Sequence, residues 1–245
     1  MTLDDPAIVN PVRGKNSPAV GPVVILAGTQ TDLKFLNGIC FSERVNSYPL
    51  YLGSIFQEPE FYPGLSVAGP LLGAPFAAMM LESLIAWGAK SIFFMGWCGA
   101  VSPDLAIGDV VVPHRACIDE GTSRHYPHPE TNEFSLPSGH VKERISRSLN
   151  AAGIPYQEGP IWTTDAIFRE TRSVVERHQR NGILAVEMEF SALCSIARFR
   201  GAAFGGALVV SDRLSGLAWQ PGFKDPRFTT ARKMLASRLV NAAMA

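Results

Sequence analysis

Short apolar runs alternate with helix-like stretches along most of the chain. Runs in which nearly every residue is apolar or small predict strands that are buried on both faces of a sheet. The four clearest are VVILAG (23–28), LSVAG (65–69), SIFFMG (91–96) and GGALVV (205–210). GDVVVP (108–113) and RACID (115–119) predict two further strands with no helix between them.

Apolar residues recur at helical spacing between several of these strands. The predicted helix faces contain Met80, Leu84 and Trp87 in one helix and Val141, Ile145 and Leu149 in another. Pro75 opens the first helix and Gly88 ends it, whereas Ser138 caps the second helix, which ends near Gly153. Further predicted elements are a strand at 156–162, a polar helix at 171–181, a strand at 183–186, a helix from about 189 and a closing helix at 229–243. Strands alternating with helices predict an α/β layered domain with a largely parallel sheet.

The composition is typical of a well-packed soluble protein. The chain has 245 residues, 47% of them hydrophobic, which is enough for one large core. Its 22 basic and 22 acidic side chains cancel, which argues against nucleic acid or a membrane as a partner. The N-terminal residues lack the apolar core of a secretory signal, and we find no apolar run typical of a membrane span. We expect an N-terminal extension at 1–22 and a single domain at 23–245.

The four cysteines are widely spaced and form no C-x-x-C pair. This spacing favours reduced thiols in a cytoplasmic protein, where most cysteines serve packing. No histidine lies at metal-ligand spacing from them, so we expect neither a metal site nor a cofactor. The cysteines are Cys40, Cys98, Cys117 and Cys194.

Glycines and carboxylates follow several of the predicted strands directly. In sheets of this kind, ligands gather at the carboxyl ends of the strands. The residues at these ends are Gly28, Gly96, Glu187–Glu189 and Ser211–Asp212. The pattern therefore predicts one candidate site formed by these residues.

The carboxylates of this site have both structural and functional interpretations. Glu187 suits the positive end of a helix macrodipole, which is a structural role. Glu189 shares the apolar face of the next helix, so its carboxylate needs donors such as the hydroxyls of a bound polyol. Asp212 either caps a helix, pairs with Arg213 or handles a proton. Two carboxylates at two strand ends suit carbohydrate chemistry, in which one binds hydroxyls and the other handles a proton.

Four motifs, in this order, resemble the purine nucleoside and uridine phosphorylase family, whose superfamily includes methylthioadenosine phosphorylases and nucleosidases. They are GWCGAVSPDLAIGDVVVP (96–113), TTDAIFRET (163–171), AVEME (185–189) and VVSD (209–212). The resemblance runs from about Val23 to the C-terminus and implies a three-layer α/β/α fold around a mixed, barrel-like sheet (phosphorylase/hydrolase-like). It also implies a homo-oligomer, from dimer to hexamer, and cleavage of the N-glycosidic bond of a nucleoside.

The resemblance implies a role for each residue in these motifs. Glu189 would accept hydrogen bonds from ribose hydroxyls, and Met188 would pack under the sugar, where positive charge develops in the transition state. Asp212 would protonate or hydrogen-bond the departing base, which favours a purine. The residues implied to lie near the base are Phe168, or Ile167 in an alternative alignment, with Arg169 and Arg213 as candidates for base oxygens. Glu187, Gly28, Gly96 and Trp97 complete the set of candidate substrate-binding residues.

The sequence departs from the family where phosphate is expected to bind. The resemblance places one arginine of the family's phosphate site at Asp32, a second at Phe94, and a Ser or Thr at Trp97. An arginine that hexameric members take from a neighbouring subunit falls at Pro49, with Arg44 nearby. A phosphate dianion needs cationic or N–H donors, and forked guanidinium groups serve best. Ordinary phosphorolysis is therefore doubtful.

Three interpretations of the chain remain open. In the first, it is a nucleoside phosphorylase with an atypical site, in which the co-substrate phosphate is held by Lys34, Arg44 or a partner chain's Arg13. In the second, it is a nucleosidase whose water is positioned by Gln30 or Asp32. In the third, it binds a nucleoside without turnover, which the retained carboxylates disfavour. We predict an enzyme that cleaves or forms the N-glycosidic bond of a small-molecule nucleoside, with a purine-like base favoured.

The loop within DEGTSRHYPHPE (119–130) carries further candidate residues. His125 and His128 lie in this loop, where histidines are more often solvated than catalytic. The segment coincides with a family segment near the base and the sugar. Glu120 and His125 are therefore secondary candidates.

Overall fold

The computed structural model describes residues 7–126 and 133–245 of the chain. Strands β1 to β11 are Val23–Ala27, Asn46–Leu50, Gly53–Gln57, Leu65–Gly69, Ser91–Ala100, Val110–Asp119, Phe134–Ser135, Gln157–Thr164, Ala185–Glu187, Ala203–Arg213 and Gln220–Pro221. Helices α1 to α6 are Gln30–Cys40, Gly73–Ala86, Gly139–Ala151, Arg172–Arg180, Phe190–Phe199 and Pro226–Met244. Short 3₁₀ helices lie at Ser123–His125 and Ile167–Arg169.

Five strands close the sheet into a ring, in the order β10–β6–β8–β9–β5, because β5 also pairs with β10. Strands β1, β4, β3 and β2 extend the sheet outward from β5. The prediction of a largely parallel sheet is confirmed along β4–β1–β5–β10 and along β6–β8–β9, where each neighbouring pair is parallel, as near-continuous apolar runs predict. The β10–β6, β5–β9 and β3–β4 pairs are antiparallel and make the sheet mixed. The mixed, barrel-like sheet that the resemblance implies is confirmed.

Helices cover both faces of the sheet and form the two outer layers. Helices α2 and α5 share one apolar core with the sheet, whereas α1, α3 and α6 share a second core on the opposite face. The predicted apolar face of α3 is confirmed, because Val141, Ile145 and Leu149 are all buried. The three-layer α/β/α architecture is therefore present.

Two predicted helix ends have different outcomes. Helix α2 ends at Ala86, and Gly88 adopts a φ of +134°, with the position of an added Cβ only 2.4 Å from the Val20 carbonyl oxygen. Only glycine fits this turn, as the sequence predicts. Ser138 is the N-cap residue of α3, as predicted, but its side chain makes no cap hydrogen bond, and its Oγ instead accepts from the Phe204 N–H at 3.0 Å. Ser138 therefore ties the start of α3 to β10.

Several element boundaries differ from the prediction. Residues 108–113 and 115–119 contribute to one strand, β6, whose register with β8 shifts between Pro113 and Arg115. Helix α2 begins at Gly73 rather than at Pro75. The structure also contains α1 and the β2–β3 hairpin, which the pattern did not identify.

The described part of the N-terminal segment packs against the domain. Val20 donates its N–H to the Trp87 carbonyl at 3.1 Å, and the Trp87 indole donates to the Val12 carbonyl at 3.1 Å. The domain boundary at residue 22 stays a prediction. Within residues 7–126 and 133–245, no helix has the length and apolar character needed to cross a membrane.

Candidate active site

The candidate site is built around the second half of β5. Along one edge of β5 runs β10, which places Asp212 beside Gly99. Along the other edge, β1 ends opposite Met95, and β9 then pairs Val186 with Gly99. The Gly28 N–H donates to the Met95 carbonyl at 2.8 Å, which anchors the turn after β1. The ends of β1, β9 and β10 therefore meet around β5.

Glycines let these strand ends approach closely. A Cβ added at Gly99 would lie 3.2 Å from Asp212 Oδ2, and one at Gly96 would lie 2.7 Å from the Phe94 ring. A Cβ added at Gly28 would lie 3.4 Å from the Gly96 Cα. Phe94 is itself a core side chain, fully buried beside the rings of α5 and β10. Gly28 and Gly96 thus shape the floor of the site through their small size.

Glu189 is held by the start of α2. Its Oε1 accepts a hydrogen bond from the Gly73 N–H at 2.6 Å, and α2 has no cap from its own side chains. Glu189 itself precedes α5, so the prediction that it lies on the apolar face of that helix is wrong. Burial raises the pKa of its carboxyl above the usual range, although the Gly73 and Met188 amides oppose the shift. Both Met188 and Glu189 stay partly exposed toward the site.

Glu187 has the structural role that its position predicts. Its Oε2 accepts from the N–H groups of Glu189 and Phe190, both at 2.7 Å, at the start of α5. Its Oε1 accepts from the Thr163 hydroxyl, which in turn accepts from the Ser191 N–H at 3.0 Å. Burial, followed by the charge of Glu189, raises the pKa of the Glu187 carboxyl. Glu187 is thus a buried cap that positions the segment carrying Glu189.

Asp212 is held at the end of β10 by two donors. The Ser211 hydroxyl lies 2.6 Å from Oδ1, and the Trp219 indole donates to Oδ2 at 2.9 Å. From the sequence, Asp212 could also have capped a helix or paired with Arg213. The described contacts of Asp212 are instead a hydroxyl and an indole, and the Arg213 guanidinium lies 3.5 Å from the Ser215 hydroxyl. Asp212 is partly exposed, so a ligand can reach it.

Glu170 is a site residue that the sequence analysis did not single out. It follows the short helix Ile167–Arg169 and is partly buried. Burial, followed by the nearby charge of Asp212, raises the pKa of Glu170 to about 7. Glu170 lies inside the TTDAIFRET motif, and this position was the feature of the sequence that could have identified it as a site residue. Glu170 therefore provides, close to Asp212, a carboxyl group that can hold a proton near neutral pH.

The residues that the resemblance implies near the base lie on the exposed helix Ile167–Arg169. Phe168 is 96% exposed and Ile167 is 51% exposed, so neither packs into the protein. Arg169 is exposed on the same short helix. The Trp219 and Phe223 rings lie 6.3 Å apart, and the Trp219 indole donates to Asp212. The predicted residues near the base thus offer exposed apolar surface.

Asp32 and Trp97 form a closed cluster with Arg232 of α6. The Arg232 Nε donates to Asp32 Oδ1 at 2.7 Å, and the Trp97 indole donates to Oδ2 at 2.6 Å. The Thr29 hydroxyl also donates to Oδ2, at 2.9 Å. Burial raises the pKa of the Asp32 carboxyl, whereas the charge of Arg232 opposes the shift. We call these four residues the Asp32 cluster.

Other candidate residues lie directly after β6 or on the surface. Glu120 is buried and accepts from the N–H groups of Thr122 and Ser123 and, at 2.9 Å, from the Ser191 hydroxyl. It therefore anchors its loop to α5. His125 is exposed, and His128 lies outside the described residues.

The cations proposed for phosphate are also on the surface. Arg13, Lys34 and Arg44 are all exposed in the single chain, as is Pro49 of β2. The described ranges contain no cluster of three or more His, Cys, Asp or Glu side chains able to hold a metal ion. All four cysteines are free thiols.

A closed mixed sheet between two helix layers, with carboxylates at its strand ends, defines an α/β protein that can hold a polar ligand. The chain matches the family model of the Phosphorylase superfamily over residues 22–244 and belongs to that superfamily. A guanosine phosphorylase from Halorubrum lacusprofundi is 31% identical over 153 residues, which span 61% of each protein. The purine nucleoside phosphorylase from Toxoplasma gondii, solved in complex with immucillin-H, has a TM-score of 0.82 at 21% identity and covers 97% of each chain. An AMP nucleosidase from Bacteroides thetaiotaomicron has a TM-score of 0.73 at 22% identity, covering 90% of this chain and 89% of that one.

The raised pKa of Glu170 gives a testable pH dependence of stability. Its folded-state value of about 7 exceeds the unfolded value of 4.5, so stability is fully present below 4.5 and falls as pH rises through about 7. The full shift corresponds to about 3 kcal/mol, and partial solvation reduces our expectation to about 1–2 kcal/mol. Urea unfolding of Glu170→Gln and wild type at pH 5 and pH 8 measures this difference. The variant should gain stability relative to wild type at pH 8.

A matched control separates the site from a general charge effect. Glu60→Gln replaces an exposed carboxylate in the loop between β3 and β4. Its stability relative to wild type should change little between the two pH values, as expected for surface charges. Parallel behaviour of the two variants would show that Glu170 is not held in a desolvated environment.

Proposed function

We propose that the chain cleaves the N-glycosidic bond of a purine nucleoside at the strand-end site. The observation that carries this proposal is the pair of partly exposed carboxylates, Glu189 beside the start of α2 and Asp212 at the end of β10. The family membership and the names of the guanosine and purine nucleoside phosphorylases support a purine substrate. Both residues project from rigid elements, which suits a site that must hold a reacting sugar in place.

The sugar end of the site stabilises positive charge. As the bond from C1′ to the base lengthens, the ribose ring gains oxocarbenium character. Glu189 accepts hydrogen bonds from ribose hydroxyls, and its negative charge stabilises the developing cation. The Gly73 N–H and the Glu187 cap hold this carboxylate in position before the substrate arrives. Met188 packs against the sugar and limits the access of water.

The base end of the site handles the leaving group. When the C1′–N9 bond breaks, its electron pair goes to the purine, which is a poor leaving group unless it is protonated. Asp212 supplies this proton or a strong hydrogen bond. General acid catalysis of this kind typically raises the rate by about 10²- to 10⁴-fold. Glu170 can hold a proton near neutral pH and restore it to Asp212. Phe168 or Ile167 covers the base once it is bound.

Two acceptors for the sugar are consistent with the family. With phosphate, the chain acts as a pentosyltransferase of the nucleoside phosphorylase type, as the name of the guanosine phosphorylase suggests. With water, it acts as a nucleosidase, and a chain named as an AMP nucleosidase has the same fold. We further propose a cytoplasmic homo-oligomer that needs no cofactor. Size measurement in solution tests the oligomer.

Base release from a panel of purine and pyrimidine nucleosides tests the proposed function. We expect release from purine nucleosides, and we expect Glu189→Gln to lower kcat/KM by about 10- to 100-fold, because a charge-assisted hydrogen bond is worth about 1.5–3 kcal/mol. Glu143→Gln, which alters an exposed glutamate paired with Arg147 on α3, is the control and should match wild type. If no nucleoside loses its base while nucleosides still raise the Tm, the chain is a binding protein and the proposal is wrong.

A further inference from the structure

The sugar must be attacked from the face opposite to the departing base. Asp212 lies on the β10 edge of β5, so the base leaves toward that edge. On the opposite edge, β1 pairs with β5, and the turn after β1 leads through Gly28 and Thr29 into α1. The Asp32 cluster occupies the first turn of α1 and reaches back to β5 through Trp97. The wall that faces the acceptor is therefore formed by this turn and by the cluster.

Arg232 is the cation of this wall, and its charge is already neutralised by Asp32. Asp32 is 0% exposed and Arg232 is 5% exposed, and their contact distance is 2.7 Å. The Arg232 guanidinium is also stacked over the Trp97 ring at 4.4 Å and over the Phe228 ring at 4.9 Å. A paired and enclosed guanidinium offers little attraction to a dianion, because the neighbouring carboxylate cancels its field.

Three backbone donors of the same turn are also occupied. The Gly28 N–H donates to the Met95 carbonyl, and the Asp32 N–H donates to the Thr29 hydroxyl at 3.2 Å. The Leu33 N–H donates to the Thr29 carbonyl at 3.0 Å. A loop that cradles phosphate must point free N–H groups at the anion. These three donors are used inside the protein instead.

We propose that the Asp32 cluster excludes phosphate from the acceptor side of the sugar and that water is the nucleophile. This inference rests on the proposed cleavage of a nucleoside. The C1′–N9 bond breaks with its electron pair going to the base, and the water oxygen bonds to C1′. One proton reaches the base and one proton leaves the water, so the products are the free base and the free pentose. A neutral water needs no cation in the wall, whereas a phosphate dianion would find there only a guanidinium that is already paired with a buried carboxylate.

The cluster also limits which residue can position that water. Both oxygens of Asp32 already accept hydrogen bonds, and the carboxylate is closed to solvent. Asp32 is therefore not the water-positioning group. Gln30 is exposed at the start of α1, two residues after Gly28, and its side-chain amide can both donate to and accept from a water.

Product analysis of the wild-type chain tests the inference. Purine nucleoside is incubated with enzyme in buffer without phosphate and with phosphate at about 50 mM, and base, reducing sugar and pentose 1-phosphate are measured. We expect rates within about twofold of each other and one free pentose per base in both buffers. Phosphate-dependent release, with pentose 1-phosphate as the product, would overturn the inference and leave the proposed cleavage intact. Release in neither buffer would overturn both.

A charge-neutral variant tests the cluster itself. Asp32→Asn frees the charge of Arg232 while keeping the shape of the side chain. We expect this variant to bind inorganic phosphate measurably in calorimetry and wild type to show no detectable binding under the same conditions. Asp104→Asn, at an exposed loop position, is the control and should bind like wild type. Detectable phosphate binding by wild type, or equal binding by Asp32→Asn and wild type, would contradict exclusion by Asp32. If Asp32→Asn does not fold, the wild-type product analysis decides the question alone.

Discussion

Replacement of Asp212 by Asn is expected to lower kcat/KM for purine base release by roughly 10²- to 10⁴-fold. The amide has nearly the same shape, so the fold and the sugar contacts should persist. It cannot pass a proton to the departing base, and its Nδ2 group cannot accept the hydrogen bond that the Trp219 indole now donates at 2.9 Å. The loss should therefore appear mainly in kcat, because the missing interaction forms as the bond breaks.

A substrate with a better leaving group separates this role from a structural one. A p-nitrophenyl riboside releases a stable phenolate that needs no proton, so Asp212→Asn should retain activity on it within about fivefold of wild type. Asp104→Asn, at the exposed loop position, should resemble wild type on both substrates. Equal losses on the nucleoside and on the phenyl riboside would show that Asp212 holds the site together rather than serving the leaving group.

Much of the fold was predictable because runs of apolar residues indicate which strands are buried. The runs at 23–28, 65–69, 91–96 and 205–210 all contain strands. Their parallel pairing was also predictable, because near-continuous apolar runs are typical of parallel strands. The short antiparallel pairs β10–β6 and β5–β9, which close the ring, were not predicted. The hairpin of β2 and β3 was missed because NSYPL is mostly polar and contains Pro49, which suits an edge strand. Helix α1 was overlooked although Leu33, Leu36 and Cys40 follow helical spacing and are buried.

The candidate site was partly predictable for a similar reason. The ends of buried strands can be located from the sequence, and the carboxylates of Glu189 and Asp212 follow such ends. Their hydrogen-bond donors were not predictable, because the Gly73 N–H lies 116 positions from Glu189 in the chain. The partner of Asp32 was even harder to predict, because Asp32 and Arg232 are 200 positions apart in the chain. The sequence could identify the missing arginines but not the internal cation that neutralises the carboxylate.

Removal of the charge of Arg232 is expected to be the most destabilising single change in the Asp32 cluster. Arg232→Met keeps the volume and the apolar contacts with the Trp97 and Phe228 rings but leaves Asp32 as a buried carboxylate without its cation. Loss of one partner of a buried pair typically costs about 3–5 kcal/mol. The loss should be larger at pH 8 than at pH 5, because burial already raises the pKa of Asp32, and the carboxyl can take up a proton at low pH.

Urea unfolding of three variants decides whether the cluster is a matched pair. Asp32→Asn with Arg232→Met removes both charges and should recover most of the loss, to within about 1 kcal/mol of wild type, because the desolvation cost then disappears with the attraction. Arg147→Met is the control, since the side chains of its pair with Glu143 are 70% and 66% exposed, and this change should cost no more than about 1 kcal/mol. If Arg232→Met costs no more than Arg147→Met, the cluster is not a desolvated ion pair. In that case, a guanidinium would still be available to an anion on the acceptor side, and the exclusion of phosphate would lose its physical basis.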